Sequence, residues 1–189
     1  MAMVRFWIAC VLALLMVQPS AAESSHEGEE LLGQPAREWH VEHWLNSAPL
    51  SLPSLRGQVV LVRWWTAPDC PFCAATAPAL NEFDHSYRAR GLRVIGFYHH
   101  KSNDPLRVED VAHYADTFHF AFPIAVDPQW QTLRDWWLGH GRHKFTSVSF
   151  LIDRRGVIRH IHPGGQYVKG DAGYAKLQQM IQTLLAEPS

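Results

Sequence analysis

The hydrophobic positions of this chain fall into short apolar runs separated by stretches with helical periodicity. Runs that are apolar nearly throughout and rich in β-branched and aromatic residues predict buried strands; these are residues 59–65, 92–98 and 122–126. Stretches with apolar residues every three or four positions predict helices; these are residues 74–90, 108–118, 130–138 and 174–186. Residues 39–44 alternate like a short strand.

A hairpin is predicted near the C-terminus, where residues 147–152 and 157–162 flank the turn Asp153-Arg154-Arg155-Gly156. The preceding alternation of strand and helix implies a parallel sheet with crossover helices, to which the hairpin adds antiparallel strands. We therefore predict an α/β fold. A mixed central sheet carries helices on both faces and is extended by an N-terminal strand.

The first 22 residues have the pattern of a secretory signal peptide. Arg5 supplies a positive charge, an apolar run of 12 residues follows at 6–17, and the small residues Ser20 and Ala22 precede the expected cleavage after Ala22. The run is shorter than the about 20 residues of a membrane span; an uncleaved anchor is the alternative. We expect a periplasmic protein with a flexible polar segment at 23–30 and one domain at 31–189.

Composition narrows the function further. The chain has 189 residues, 47% of them hydrophobic, which suits a single domain with a real core. The net charge of −1 gives no basic excess for a nucleic-acid partner. Cleavage removes Cys10 and leaves Cys70 and Cys73. A disulfide persists in an exported protein, but this pair closes a loop too short to stabilise the fold much.

The sequence Cys70-Pro71-Phe72-Cys73 lies between a predicted buried strand and a predicted helix. Cys70 is therefore expected at the helix N-terminus, where free N–H groups and the helix dipole stabilise a thiolate. Cys70 would be the nucleophile, and Cys73, one turn further in, would resolve a mixed disulfide. Pro71 suits the first turn, because its missing N–H costs no hydrogen bond there. Zinc sites also use CxxC pairs, so the spacing alone leaves both chemistries open.

These residues resemble the thioredoxin superfamily, and most of all its exported TlpA-like, redoxin-type disulfide reductases. The cysteine pair matches the active site of that family, and Pro78 matches the proline that kinks its active-site helix. Three further segments resemble the family. Residues 50–62 resemble its lead-in to the first core strand, residues 122–124 with Asp127 resemble the segment before its last crossover helix, and residues 150–158 resemble its final hairpin.

The resemblance implies a thioredoxin-like fold over roughly residues 31–186 and a redox-active Cys70–Cys73 disulfide. It further implies a thiol:disulfide oxidoreductase without a cofactor. Such a protein would reduce disulfides in exported proteins and take electrons from a membrane donor.

Three positions depart from the family pattern. Ser147 stands where the family usually has a cis-proline that shapes the substrate groove. Asp69 replaces the common Trp before the first cysteine, and its charge opposes a thiolate. The position of the buried acid that assists proton transfer in many thioredoxins is occupied by Trp64, which leaves that role vacant or filled by another residue. The residues predicted to support the site are Asp69, Pro71, Phe72, Pro78 and Ser147.

Peroxiredoxins share this fold, and their peroxidatic cysteine lies in the motif PxxxTxxC. Counted back from Cys70, the Thr position is Ala67 and the Pro position is Arg63. The motif is absent, which argues against a typical peroxidase.

Histidines provide an alternative from another functional class. His99 and His100 follow the second predicted strand, at the end of the sheet where parallel strands place their sites. His160 and His162 alternate along one strand and so face the same side. With two thiolates, such histidines could bind Cu(I) or Zn(II). The alternative function is therefore a copper- or zinc-binding module that uses Cys70 and Cys73 with His99 or His100; hydrogen-bonded or surface histidines are the simpler interpretation.

Overall fold

The computed structural model describes residues 27–41, 43–141 and 143–188. Within these ranges the strands are β1 (His43–Leu45), β2 (Val59–Trp65), β3 (Leu92–Tyr98), β4 (Ile124–Val126), β5 (Ser149–Ile152) and β6 (Ile158–His162). The α-helices are α1 (Pro71–Tyr87), α2 (Val108–Thr117), α3 (Gln131–Trp136) and α4 (Ala172–Ala186).

The strands form one mixed sheet in the order β1-β4-β3-β2-β5-β6. Strands β2, β3 and β4 run parallel to one another, β5 runs antiparallel to both β2 and β6, and β1 runs antiparallel to β4. The predicted α/β fold, with its mixed sheet and N-terminal strand extension, is confirmed.

Some boundaries differ from those predicted. Helix α1 begins at Pro71 rather than at residue 74, because Cys70 caps its first turn and Pro71 occupies the first helical position. Strand β1 lies at His43–Leu45, later than the predicted 39–44, where it pairs with β4. The helix predicted at 130–138 is shorter, since α3 spans only Gln131–Trp136.

Two hydrophobic cores cover the two faces of the sheet. Helices α1, α2 and α4 pack against one face, on which Leu61 and Trp65 of β2 lie. Helix α3 and the N-terminal segment cover the other face, which contains Val60, Val62 and Trp64. Every residue of β2 is buried, as expected for a central strand covered on both sides.

The N-terminal predictions fall largely beyond this part of the chain. The signal peptide, its cleavage site after Ala22 and residues 23–26 of the polar segment lie outside the described residues. Glu29–Leu31 form a single 3-10 turn. Among the helices that the structure describes, none combines the length and the apolar character needed to cross a membrane.

Candidate active site

Cys70 and Cys73 meet at the N-terminus of α1. Cys70 is the N-cap residue, and its Sγ accepts a hydrogen bond from the backbone N–H of Cys73 at 3.3 Å. Both thiols are free; Cys70 is half-buried, whereas Cys73 is only 3% exposed. Cys70 Sγ therefore lies at a helix N-terminus, where unpaired N–H groups and the positive end of the helix dipole face it. The arrangement suits an accessible nucleophile with a shielded partner behind it.

The inner cysteine is held in its protonated form. Burial, and after it the hydrogen bond with the Cys70 side chain, raise the pKa of the Cys73 thiol to about 12. The backbone of Thr66 and the positive charge of Arg63 act in the opposite direction. At neutral pH the Cys73 thiol is therefore protonated in the free protein.

The structure corrects the prediction that Trp64 occupies the place of the family's buried acid. Side chains alternate along a strand, and Trp64 points to the sheet face opposite Cys73, where it packs against Trp136 with ring centroids 5.6 Å apart. Arg63 instead shares the face of Trp65 and Cys73, and it is 1% exposed. A buried cation, not a vacant position, accompanies the cysteines.

Arg63 was not among the site residues that the sequence predicted. The signal that could have found it is a charged residue inside β2, a strand that is otherwise apolar throughout. Lys and Arg are almost never fully buried without a partner, so an arginine there calls for a functional or structural account.

A pocket of about 150 Å³ opens onto both cysteines. Ser147 lines it and is buried, with its Oγ 3.5 Å from the carbonyl oxygen of Gly165. The structure thus brings Ser147 to the cysteines, at the position where the resemblance implies a substrate groove. The remaining lining residues are Thr66, Phe72, His99, Lys101, Lys144, Phe145 and Thr146.

A second, wider cleft of about 480 Å³ also borders Cys70. Asp69, Pro71 and Phe72 line it together with Tyr98 and His100. Asp69 is exposed and lies in the turn before α1, so its carboxylate is screened by water. The accessible thiol therefore borders two openings, either of which a substrate chain could enter.

The two prolines of the site region lie where the sequence predicted them. Pro71 is the first residue of α1 and is exposed beside Cys70. Pro78 lies inside α1 on its exposed face, and the helix continues through it to Tyr87.

The metal candidates His99 and His100 differ in their surroundings. His99 is fully buried, lines the cysteine pocket, and has its Nε2 2.9 Å from Thr146 Oγ1, whereas its Nδ1 has no partner among the described residues. Burial lowers the pKa of His99 to about 3, so its ring is neutral at physiological pH. His100 donates from Nε2 to the Asp104 carbonyl and has Nδ1 3.1 Å from the Tyr98 hydroxyl.

His160 and His162 lie on β6, where both are half-buried. Burial lowers the pKa of each to about 4. No three His, Cys, Asp or Glu side chains in the described part of the chain are grouped so as to hold a metal ion.

Comparison with known proteins places this chain in a family. Residues 32–161 match the AhpC/TSA family. The chain therefore belongs to the AhpC/TSA family, a redoxin branch of the thioredoxin superfamily.

Several curated relatives, though not all of them, are named for thiol-disulfide exchange. Protein DipZ of Mycobacterium bovis is 34% identical over 145 residues, which cover 75% of this chain and 19% of DipZ. The thiol:disulfide interchange protein DsbE of Xylella fastidiosa is 30% identical over 144 residues, which cover 75% of this chain and 66% of DsbE. This chain thus spans about a fifth of the length of DipZ.

Solved structures agree on the fold. A thiol-disulfide isomerase from Corynebacterium glutamicum superimposes with a TM-score of 0.66 at 28% identity, covering 82% of this chain and 97% of that one. A thioredoxin-like superfamily protein reaches a TM-score of 0.67 at 23% identity over 82% of this chain and 98% of its own. The fold is thioredoxin-like, as predicted.

Proposed function

We propose that this protein is a TlpA-like thiol:disulfide oxidoreductase of the periplasm that reduces disulfides in exported proteins through Cys70 and Cys73. The observation that carries the proposal is the placement of Cys70 as N-cap of α1, with Cys73 buried one turn behind it and its backbone N–H donating to Cys70 Sγ. An accessible thiolate with a shielded partner suits two-step exchange.

In the first step the Cys70 thiolate attacks one sulfur of a substrate disulfide. A Cys70–substrate disulfide forms, and the other substrate sulfur leaves as a thiolate that takes up a proton. In the second step the Cys73 sulfur attacks Cys70 Sγ and releases the remaining substrate thiol. The two cysteines lose two electrons and form a disulfide; the substrate gains the electrons and two protons. A dithiol donor at the membrane would reduce the protein again.

The reducing direction follows the resemblance to TlpA-like reductases, whereas the location and the type of reaction have further support. The signal-like N-terminal pattern supports export, and the names of ResA and DsbE associate related chains with thiol-disulfide exchange. The absence of PxxxTxxC from the sequence argues against peroxide as the substrate.

Single cysteine variants test the mechanism. Cys70→Ala should abolish reduction of a model disulfide peptide, whereas Cys73→Ala should accumulate a mixed disulfide between Cys70 and the peptide, visible by mass spectrometry. Normal turnover by Cys70→Ala would exclude the mechanism. Metal analysis of the same preparations tests the alternative: stoichiometric copper or zinc that is lost in both cysteine variants would favour the binding module.

A further inference from the structure

Arg63 is a buried cation with no ion-pair partner among the described residues. Its Nη2 donates to the carbonyl oxygen of Gly165 at 2.7 Å, and its Nη1 lies 3.4 Å from Ser149 Oγ. Its guanidinium lies over the ring of Tyr167, 5.2 Å from the centroid. These neutral groups solvate the charge but do not neutralise it. Retaining an unpaired charge in a core is costly, so a function for it is expected.

The titratable groups near Arg63 are neutral at physiological pH. Burial lowers the pKa of His162 to about 4, and the charge of Arg63 adds to this effect. Burial raises the pKa of Tyr167, so its hydroxyl stays protonated. On the pocket side, His99 is neutral as well, since burial lowers its pKa to about 3. None of these groups supplies a negative charge to Arg63.

Several contacts connect the Arg63 site to Cys73. Tyr167 belongs to the same core cluster as Cys73, and its backbone N–H donates to Thr76 Oγ1 at 3.4 Å, one helical turn after Cys73. Ser147, which lines the cysteine pocket, approaches the same Gly165 carbonyl that Arg63 binds. The guanidinium and the Cys73 thiol therefore share one buried environment on one face of the sheet.

We propose that Arg63 is a positioning residue that stabilises the thiolate of Cys73 as it attacks the Cys70–substrate disulfide. This inference rests on the proposed exchange function. In the family, a buried carboxylate accepts the proton of the resolving cysteine. Here the fixed positive charge of Arg63 would instead stabilise the Cys73 thiolate directly. The Cys73 proton leaves through the pocket and ends on the departing substrate thiolate, so no further reactant is needed.

A buried cation matters here because deprotonating the buried Cys73 thiol is costly in free energy. Thiolate, not thiol, is the attacking species, and burial strongly favours the thiol of Cys73. An opposite charge favours the ionised form of a group, and the charge of Arg63 lowers the pKa of Cys73 against the larger effect of burial. Among the described residues that line the two openings, the other charged side chains are those of Lys101 and Lys144 at the pocket and Asp69 at the second cleft, and all three residues are exposed to solvent.

The test uses a Cys70→Ser background, in which Cys73 is the reactive thiol of the mature protein. Its alkylation rate is measured against pH in three versions: Arg63 retained, Arg63→Met and Arg63→Lys. The proposal predicts that Arg63→Met raises the pKa of Cys73, so that at a fixed pH below that pKa alkylation becomes several-fold slower, and that Arg63→Lys largely restores the rate. Ser149→Ala, which removes one neutral contact of Arg63 but keeps the charge, should shift the pKa far less.

The matching kinetic test uses the wild-type cysteines. Arg63→Met should slow resolution of a preformed Cys70–peptide disulfide about tenfold at neutral pH, with recovery at high pH, while formation of that disulfide stays within about twofold. If Arg63→Met does not fold, Arg63→Gln replaces it, because its amide can still bond the Gly165 carbonyl. Folded neutral variants with an unchanged Cys73 titration would overturn the proposal. The titration needs no turnover, so it fails or succeeds independently of the exchange function.

Discussion

The ring of Phe72 meets the ring of Phe145 edge to face, with the two centroids 5.2 Å apart. Phe72 lies between the two cysteines in sequence and is 37% exposed, whereas Phe145 comes from the segment before β5. Phe145 also packs against Gly164, where an added Cβ would lie 2.2 Å from that of Phe145. The pair closes one side of the cysteine pocket, a relationship that the sequence did not predict.

Replacing Phe145 with Ala should open this pocket. We expect alkylation of the cysteines by a bulky maleimide to become several-fold faster. The unfolding free energy should fall by about 1–2 kcal/mol through loss of the ring pair and of buried area. Phe145→Leu keeps part of the apolar side chain, so its alkylation rate and its unfolding free energy should lie between those of the wild type and Phe145→Ala. An unchanged alkylation rate in a folded Phe145→Ala protein would mean that the pair does not limit access.

Removing the charge of Asp69 should make Cys70 more reactive. Asp69 directly precedes Cys70 and lines the same cleft, so its carboxylate disfavours a neighbouring thiolate. We expect Asp69→Asn to speed iodoacetamide alkylation at pH 7 by about two- to threefold at low salt and by less at 0.5 M salt. Asp116→Asn, an exposed acid on α2, is the matched control. Equal rates in Asp69→Asn and wild type at low salt would contradict this role for Asp69.

Acid should destabilise the fold through its buried histidines. The folded-state pKa is lowered to about 3 for His99 and to about 4 for His160 and His162, against about 6.5 in the unfolded chain. Below pH 6.5 these histidines bind protons in the unfolded state but stay neutral in the folded state. The free energy of unfolding therefore decreases as the pH drops from 6.5 towards the folded-state pKa values. For fully buried His99 the loss at pH 5 amounts to at most about 2 kcal/mol.

Denaturant unfolding between pH 7 and 5 measures this effect. In His99→Gln, whose side-chain amide can still bond Thr146, the fall in unfolding free energy over that range should be smaller than in wild type. A fall of the same size in both proteins would show that His99 is not its source.

Much of the fold could be predicted from the sequence because its central strands are unambiguous. The predicted ranges of β2 and β3 agree with the structure residue for residue, since both are apolar runs bounded by glycine and turn residues. The start of α1 was placed three residues late, because the helical periodicity of its apolar face begins only after Cys73. The cysteine pair itself was identified from its position between strand and helix.

The rest of the site depends on packing that spacing along the chain does not encode. Arg63 reaches its partners Ser149, Gly165 and Tyr167 across separations of 86 to 104 residues, so no local pattern reveals them. The position of Trp64 was misjudged for a related reason: which face of β2 contacts Cys73 is set by how α1 docks on the sheet. Ser147 was located by resemblance, whereas its contact with Gly165 required the three-dimensional structure.

The midpoint potential of the Cys70–Cys73 pair tests the central claim most directly. The mature protein is equilibrated in redox buffers, its free thiols are alkylated, and the reduced fraction is read by mass spectrometry. The proposed reductase function predicts one reversible two-electron transition at about −270 mV, in the range of thioredoxin. A midpoint near about −120 mV, in the range of DsbA, would make the protein an oxidant and contradict the proposed direction. If no reversible disulfide forms, thiol-disulfide exchange at this site is excluded.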